Sequence, residues 1–154
     1  MVLLQIHFKR FVAPFQYVYA YYAKTDIKWA MVVPLQKYEE LTVWQKSMDL
    51  VAEVYRVAKL LPNAELHALS NQMRRAALSI PSNIAEGQER NTTNDFINHL
   101  YIAKGSKGEL ETQLLICVRL QYLTPQQIAM AQSLLVEIGK MLNALIKSLS
   151  TKNS

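Results

Sequence analysis

Between residues 128 and 149, apolar side chains recur at alternating intervals of three and four: Ile128, Ala131, Leu135, Ile138, Leu142, Leu145 and Leu149. Those intervals bracket the 3.6-residue turn of an α-helix, so all seven share one face. A half-buried strand would instead alternate every second residue. A helix striped in this way has to bury the stripe, and several such helices bury their stripes on one another.

Three further stripes precede this one. Thr42 is a plausible N-cap for the first, whose Trp44, Met48, Val51, Tyr55 and Ala58 are four and three apart, with Val43, Leu50, Val54, Val57 and Leu61 widening the stripe and a stop at Pro62. The second starts near Ala64 and contains Leu66, Leu69, Met73, Ala76, Ile80 and Ile84. Pro81 should kink it and Gly87 should loosen its end. In the run NTTND, Thr92 or Thr93 caps the third, with Asp95 favourable in the first turn. This helix is expected to run to about Leu123, roughly 45 Å. Thr124, Pro125 and Gln127 then supply a cap, a first helical residue and a capping box for the fourth. Four glycines and five prolines in 154 residues, with 51% apolar content, agree with long helices around one core. The expected fold is all-α, an antiparallel up-and-down four-helix bundle over residues 36–150, with a frayed tail at 151–154.

Residues 1–35 are expected to lie outside that domain. The first 30 are rich in aromatics, are broken by Pro14 and show no helical or strand period. His7, Lys9 and Arg10 interrupt the apolar part, which argues against a signal peptide. The reading favoured here is an upstream extension, with Met31 as the true start. It also holds an excess of charge, with Lys9, Arg10, Lys24 and Lys28 against Asp26 alone. The whole chain has 17 basic and 12 acidic residues, so the body carries little net charge and nucleic-acid binding does not follow from it. A single cysteine, Cys117, excludes an internal disulfide and fits a reducing, cytoplasmic compartment. No run approaches the roughly 18–20 uncharged apolar residues of a membrane span.

The second helix has an additional face. Gln72, Arg75, Ser79, Asn83, Glu86 and Arg90 recur three and four apart, roughly opposite the apolar stripe. A merely solvated face would more usually carry Lys and Glu, because Ser and Asn are poorer helix formers. Arg74 flanks the core and is expected to pair with a carboxylate on a facing helix, Glu109 or Glu111. Arg75 points away, toward a subunit contact or an anionic ligand. The second half of helix three is apolar nearly all round, through Leu110, Leu114, Leu115, Ile116, Cys117, Val118 and Leu120. A helix in a lone bundle keeps one side in water, so part of that surface is expected to meet another subunit. Gly105 and Gly108 lie inside the same helix, where each costs about 1 kcal/mol relative to Ala. Close approach of a neighbouring helix is their expected reason. Lys104, Lys107 and Glu109 complete the set of candidate interface or nucleic-acid contacts.

Signs of catalytic chemistry are few. His7, His67 and His99 form no ligand motif, and Asp95 with His99 reads as a surface pair rather than half a metal site. Cys117 reads as a small core residue. Bundle ribonucleases with an Arg four to six residues before a His find no match, since Arg90 precedes His99 by nine and Arg56 precedes His67 by eleven. No catalytic residue, metal or cofactor is assigned, and a non-enzymatic protein is expected.

The segments YEELTVWQKSMDL (38–50), QMRRAALSIPSNIAEGQER (72–90) and LYIAKGSKGELETQL (100–114) resemble a known family. It is the family of four-helix-bundle proteins encoded in intervening sequences of bacterial 23S ribosomal RNA genes. The resemblance covers residues 38 to about 149, and residues 1–30 have no counterpart in it. It implies a pentameric barrel of bundles. A related group assists the reverse transcriptase of diversity-generating retroelements and binds nucleic acid. The resemblance therefore implies self-association and a partner that is RNA, DNA or a protein acting on them, with no membrane. A purely structural assembly without nucleic-acid contact is the alternative, and an enzyme acting on RNA is the weaker third.

Overall fold

In the computed structural model of the chain, residues 37–65 and 67–152 are described. The expected N-terminal extension and the Met31 start lie outside the described residues, as does Leu66. Four α-helices hold most of the described residues: α1 (Thr42–Ala58), α2 (Leu69–Gln88), α3 (Thr93–Arg119) and α4 (Pro125–Lys152). Each packs on its neighbour in the chain, and α1 closes the ring on α4. The contacts pair rising residue numbers with falling ones. On α2 and α3, Ser79 meets Ser106 and Asn83 meets His99. On α1 and α4, Lys46 meets Glu137 and Arg56 Nη2 donates to the Gln127 carbonyl. The helices are antiparallel, and the fold is the expected bundle.

The helix ends show which signals are local. Thr92 Oγ1 accepts from the Asp95 amide at 3.1 Å and donates to its carboxylate at 2.6 Å. Thr124 and Gln127 form the reciprocal capping box, at 2.7 and 3.3 Å. Thr42, by contrast, is already the first helical residue of α1. The N-cap is Leu41, which has no side-chain bond, and a 3₁₀ turn at Tyr38–Glu40 leads into it. The link to α2 is another 3₁₀ turn, Asn63–Glu65, so α1 stops at Ala58 and α2 starts five residues later than Ala64. At the other end the tail is helical through Thr151 and Lys152, Thr151 Oγ1 bonding back to the Lys147 carbonyl at 3.2 Å.

α3 ends at Arg119 rather than near Leu123, because Gln121 turns the chain through φ 59°. The Tyr122 amide reaches the Cys117 carbonyl and the Gln121 amide reaches that of Val118, a Schellman closure normally built on glycine. A left-handed side chain is strained there by about 1–2 kcal/mol. Gln121→Gly is therefore expected to raise stability by up to about 1 kcal/mol after the entropy loss of glycine, measurable by urea unfolding.

The stripes meet in one core, except that α1 turns Val43, Leu50, Val54 and Val57 inward and leaves Met48 and Tyr55 exposed. Leu50, Met73, Ile80, Ile84, Leu100, Leu110, Leu114, Ile128, Leu135, Ile138 and Leu142 are all fully buried. Each contributes on the order of 1.5–3 kcal/mol. Pro81 is buried too, and α2 continues through it. Just beyond the missing N–H, Ser82 Oγ and Asn83 Nδ2 bond back to the carbonyls of Leu78 and Ser79, each at 2.8 Å. By length and composition α4 could cross a membrane, with a mean hydropathy of 1.2 over its apolar window. Its apolar stripe, however, lies in the bundle core, and its other side presents Glu137, Lys140 and Lys147.

Candidate functional site

The polar stripe of α2 lies along a seam with α3, and Gly87 sets how close the two helices come. A Cβ on Gly87 would stand 2.5 Å from His99 Cβ and 2.9 Å from Phe96 Cδ2. Gly87 is buried, so it does not loosen the end of α2; its missing side chain is what lets α3 in. Along the seam, Ser79 Oγ and Ser106 Oγ are 2.8 Å apart. Asn83 Nδ2 donates to the Ser79 carbonyl and lies 3.0 Å from its hydroxyl. That leaves Asn83 Oδ1 facing His99 Nδ1 at 3.2 Å. An amide oxygen can only accept, so Nδ1 carries the hydrogen, an assignment made from the bonding network. His99 Nε2 then faces the Glu86 carboxylate at 3.9 Å, and Glu86 is also held by Arg90 one turn on. Hydrogen bonds therefore run from Ser106 through Ser79 and Asn83 to His99, while the Glu86–Arg90 pair lies beside their end. Neither serine hydroxyl is bonded to the histidine, so the arrangement works as a latch between helices, with no activated nucleophile.

His99 was not among the candidate residues, and it pairs with α2 instead of Asp95. Asp95 is engaged by Thr92. The register between two helices, which brings residues 83 and 99 together, is invisible in either helix alone. Arg74 departs from expectation in the same way. Glu109 accepts from Gln113 and Glu111 from Lys107, while the Arg74 guanidinium lies over the Tyr55 ring of α1, 5.4 Å from its centroid. Its Nε is shielded from solvent without an acceptor among the described residues. Lys107 stretches along α4, its Cε 3.5 Å from the place a Gly139 Cβ would occupy. Arg75 and Lys104 are exposed. Gln72, the first residue of the polar stripe, is exposed too.

On α3, Leu100, Ala103, Leu110, Leu114 and Cys117 face the core. The opposite side is also apolar: Tyr101 and Ile102 are 54% and 52% exposed, and Leu115, Ile116 and Leu120 are 52%, 41% and 51% exposed. Gly105 and Gly108 lie between these two groups, and a Cβ on either would meet nothing within 4 Å. The close approach expected at these glycines is therefore not made among the described residues; Gly87 makes it instead. Past them, Thr112, Leu115, Ile116, Arg119 and Leu120 line a shallow groove.

Cys117 is buried beside Met73, its Sγ 3.6 Å from Met73 Sδ. Burial pushes its thiol up to about 11 from 9.0. A raised thiol pKa favours the neutral folded form, so its stabilisation is complete below pH 9.0 and is lost as the pH climbs toward about 11. The urea midpoint is expected to fall more steeply over that interval than it does for Cys117→Ala, measured in parallel. Among the described residues no group of three or more His, Cys, Asp or Glu side chains is placed to hold a metal.

The family model for 23S rRNA-intervening sequence proteins matches residues 39–144. Among solved structures, the chain is similar to a protein of unknown function from the S23 ribosomal protein family of Bacteroides thetaiotaomicron. The two are 32% identical with a TM-score of 0.64, over 69% of this chain and 99% of that one. No curated protein matches.

Proposed function

The chain belongs to the 23S rRNA-intervening sequence protein family, and on that premise we propose that it is a non-catalytic accessory bundle that assembles with copies of itself and contacts nucleic acid as an assembly. The observation that carries this reading is the exposed apolar face of α3, with five large side chains and two open glycines on one side of a helix. Five copies is the number the family resemblance implies, and the single reduced cysteine suits a cytoplasmic protein.

The charges support the second half of the proposal. Arg75, Lys104, Arg119, Lys140 and Lys147 are exposed and form no ion pair among the described residues, where Lys46, Arg56, Arg90 and Lys107 do. In one chain these five cations are scattered. A symmetric assembly repeats each of them around an axis, which turns scattered charges into a basic rim. Arg90 pairs with Glu86 one turn away, so that carboxylate does not oppose an anionic ligand freely.

Titrating the full chain with generic single-stranded RNA and duplex DNA at several salt concentrations tests this. Phosphate contact predicts an affinity that falls linearly on logarithmic axes, with a slope of about −0.7 per contact on a single strand and about −0.9 on a duplex. Arg75→Ala and Lys104→Ala should each reduce the slope by about one contact while leaving the fold intact. No binding at low salt would leave a purely structural assembly.

A further inference from the structure

The bundle has a second exposed apolar patch, different from the one on α3. Across the α1–α2 face, Met48, Tyr55 and Leu78 are 44%, 38% and 42% exposed. Arg74 sits beside Tyr55 with no carboxylate partner among the described residues. The α3 face has the opposite character. It has two open positions, Gly105 and Gly108, and an exposed carboxylate, Glu109, that among the described residues is bonded only to the neutral amide of Gln113. One patch therefore offers knobs and a cation, and the other offers holes and an anion. The spacings also match, because Arg74 and Leu78 are one turn apart on α2, as Gly105 and Glu109 are on α3. When two helices run antiparallel, a Leu78 placed over Gly105 brings Arg74 to Glu109; run parallel, it brings Arg74 to Tyr101 instead.

We propose that the α3 face of one copy receives the α1–α2 face of the next, with Leu78 seated over Gly105 and the Arg74 guanidinium paired with Glu109. This rests on the self-association proposed above and adds its geometry. Two different surfaces that complement each other make a head-to-tail contact, which closes into a ring or runs on as a filament, whereas a single self-complementary patch makes a two-fold dimer. The tyrosine ring and the arginine over it are residue types that anchor interface centres.

Two experiments on the full chain test the pairing. In the first, Arg74→Glu and Glu109→Arg are each expected to raise the subunit dissociation constant by about tenfold or more, and combining them should restore most of the loss. Two single effects that simply add would overturn the pair. In the second, Cys117→Ala chains carrying either Leu78→Cys or Gly105→Cys are oxidised separately and as a mixture. A disulfide needs Cα atoms within about 7 Å, so the expected product forms only in the mixture and joins residue 78 of one chain to residue 105 of another. A 105–105 product from the single variant, with the assembly mass unchanged, would overturn the head-to-tail geometry and leave self-association standing. A wild-type chain that stays monomeric by light scattering would overturn both.

Discussion

Gly87→Ala is expected to destabilise the bundle by about 1–3 kcal/mol, the usual range for forcing an extra methyl into a packed site. The obstruction is not a flexible side-chain end. It is His99 Cβ, 2.5 Å from the new methyl, with Phe96 Cδ2 at 2.9 Å. Because a Cβ moves with its backbone, α3 itself must shift, stretching the contacts from Asn83 to His99 and from Ser79 to Ser106. The intrinsic gain of alanine over glycine in a helix, about 1 kcal/mol, offsets only part of this. The same substitution at Gly105 and Gly108 meets open space among the described residues. There the helix gain should stand alone, raising single-chain stability by up to about 1 kcal/mol each. Urea unfolding of the three variants at a dilution that keeps the chain monomeric measures both signs. A loss at Gly105 or Gly108, or none at Gly87, would refute the assignment of contacts.

The second large effect is on assembly. Leu115→Lys combined with Ile116→Lys is expected to dissociate the protein into single chains while leaving the fold unchanged. Both positions are about half exposed in the single chain, at 52% and 41%. Surface substitutions of this kind change stability by about 0.5 kcal/mol or less, and lysine is a good helix former. Buried in a subunit contact, two unpaired ammonium groups would cost several kcal/mol. Circular dichroism should therefore match the parent, while the elution volume moves to that of one chain. A variant that elutes with the parent would place the subunit contact elsewhere on the bundle.

What could be read from the sequence divides along a physical line. Interactions closed within three or four residues of one helix were legible, which is why Thr92 and the Thr124–Gln127 box were placed correctly. The core stripes of α2 and α4 were legible for the same reason, since 3.6-residue periodicity is a property of one segment; on α1 the apolar residues span a wide arc, and the side turned inward carries Val43, Leu50, Val54 and Val57 rather than Met48 and Tyr55. The odd composition of α2 was legible as a second face, and Ser79 and Asn83 did prove to be the seam. Interactions between helices were not, because they depend on register. His99 went unrecognised as the partner of Asn83 and was paired with Asp95 on spacing alone. Arg74 was matched to carboxylates on α3, while the ring that receives it belongs to α1. The glycines show the same limit. A helical glycine signals that something comes near, but only the register shows that the neighbour lies at Gly87 and that Gly105 and Gly108 face outward. Leu41 at the N-cap of α1 has no side-chain signature, so its neighbour Thr42 drew the assignment.

The central claim is that the outer face of α3 is covered by another copy of the chain, and multi-angle light scattering of the purified protein in the micromolar range tests it most directly. A particle several times the 17.6 kDa of one chain is expected, falling to one chain in the Leu115→Lys, Ile116→Lys variant. A wild-type particle of 17.6 kDa would contradict it.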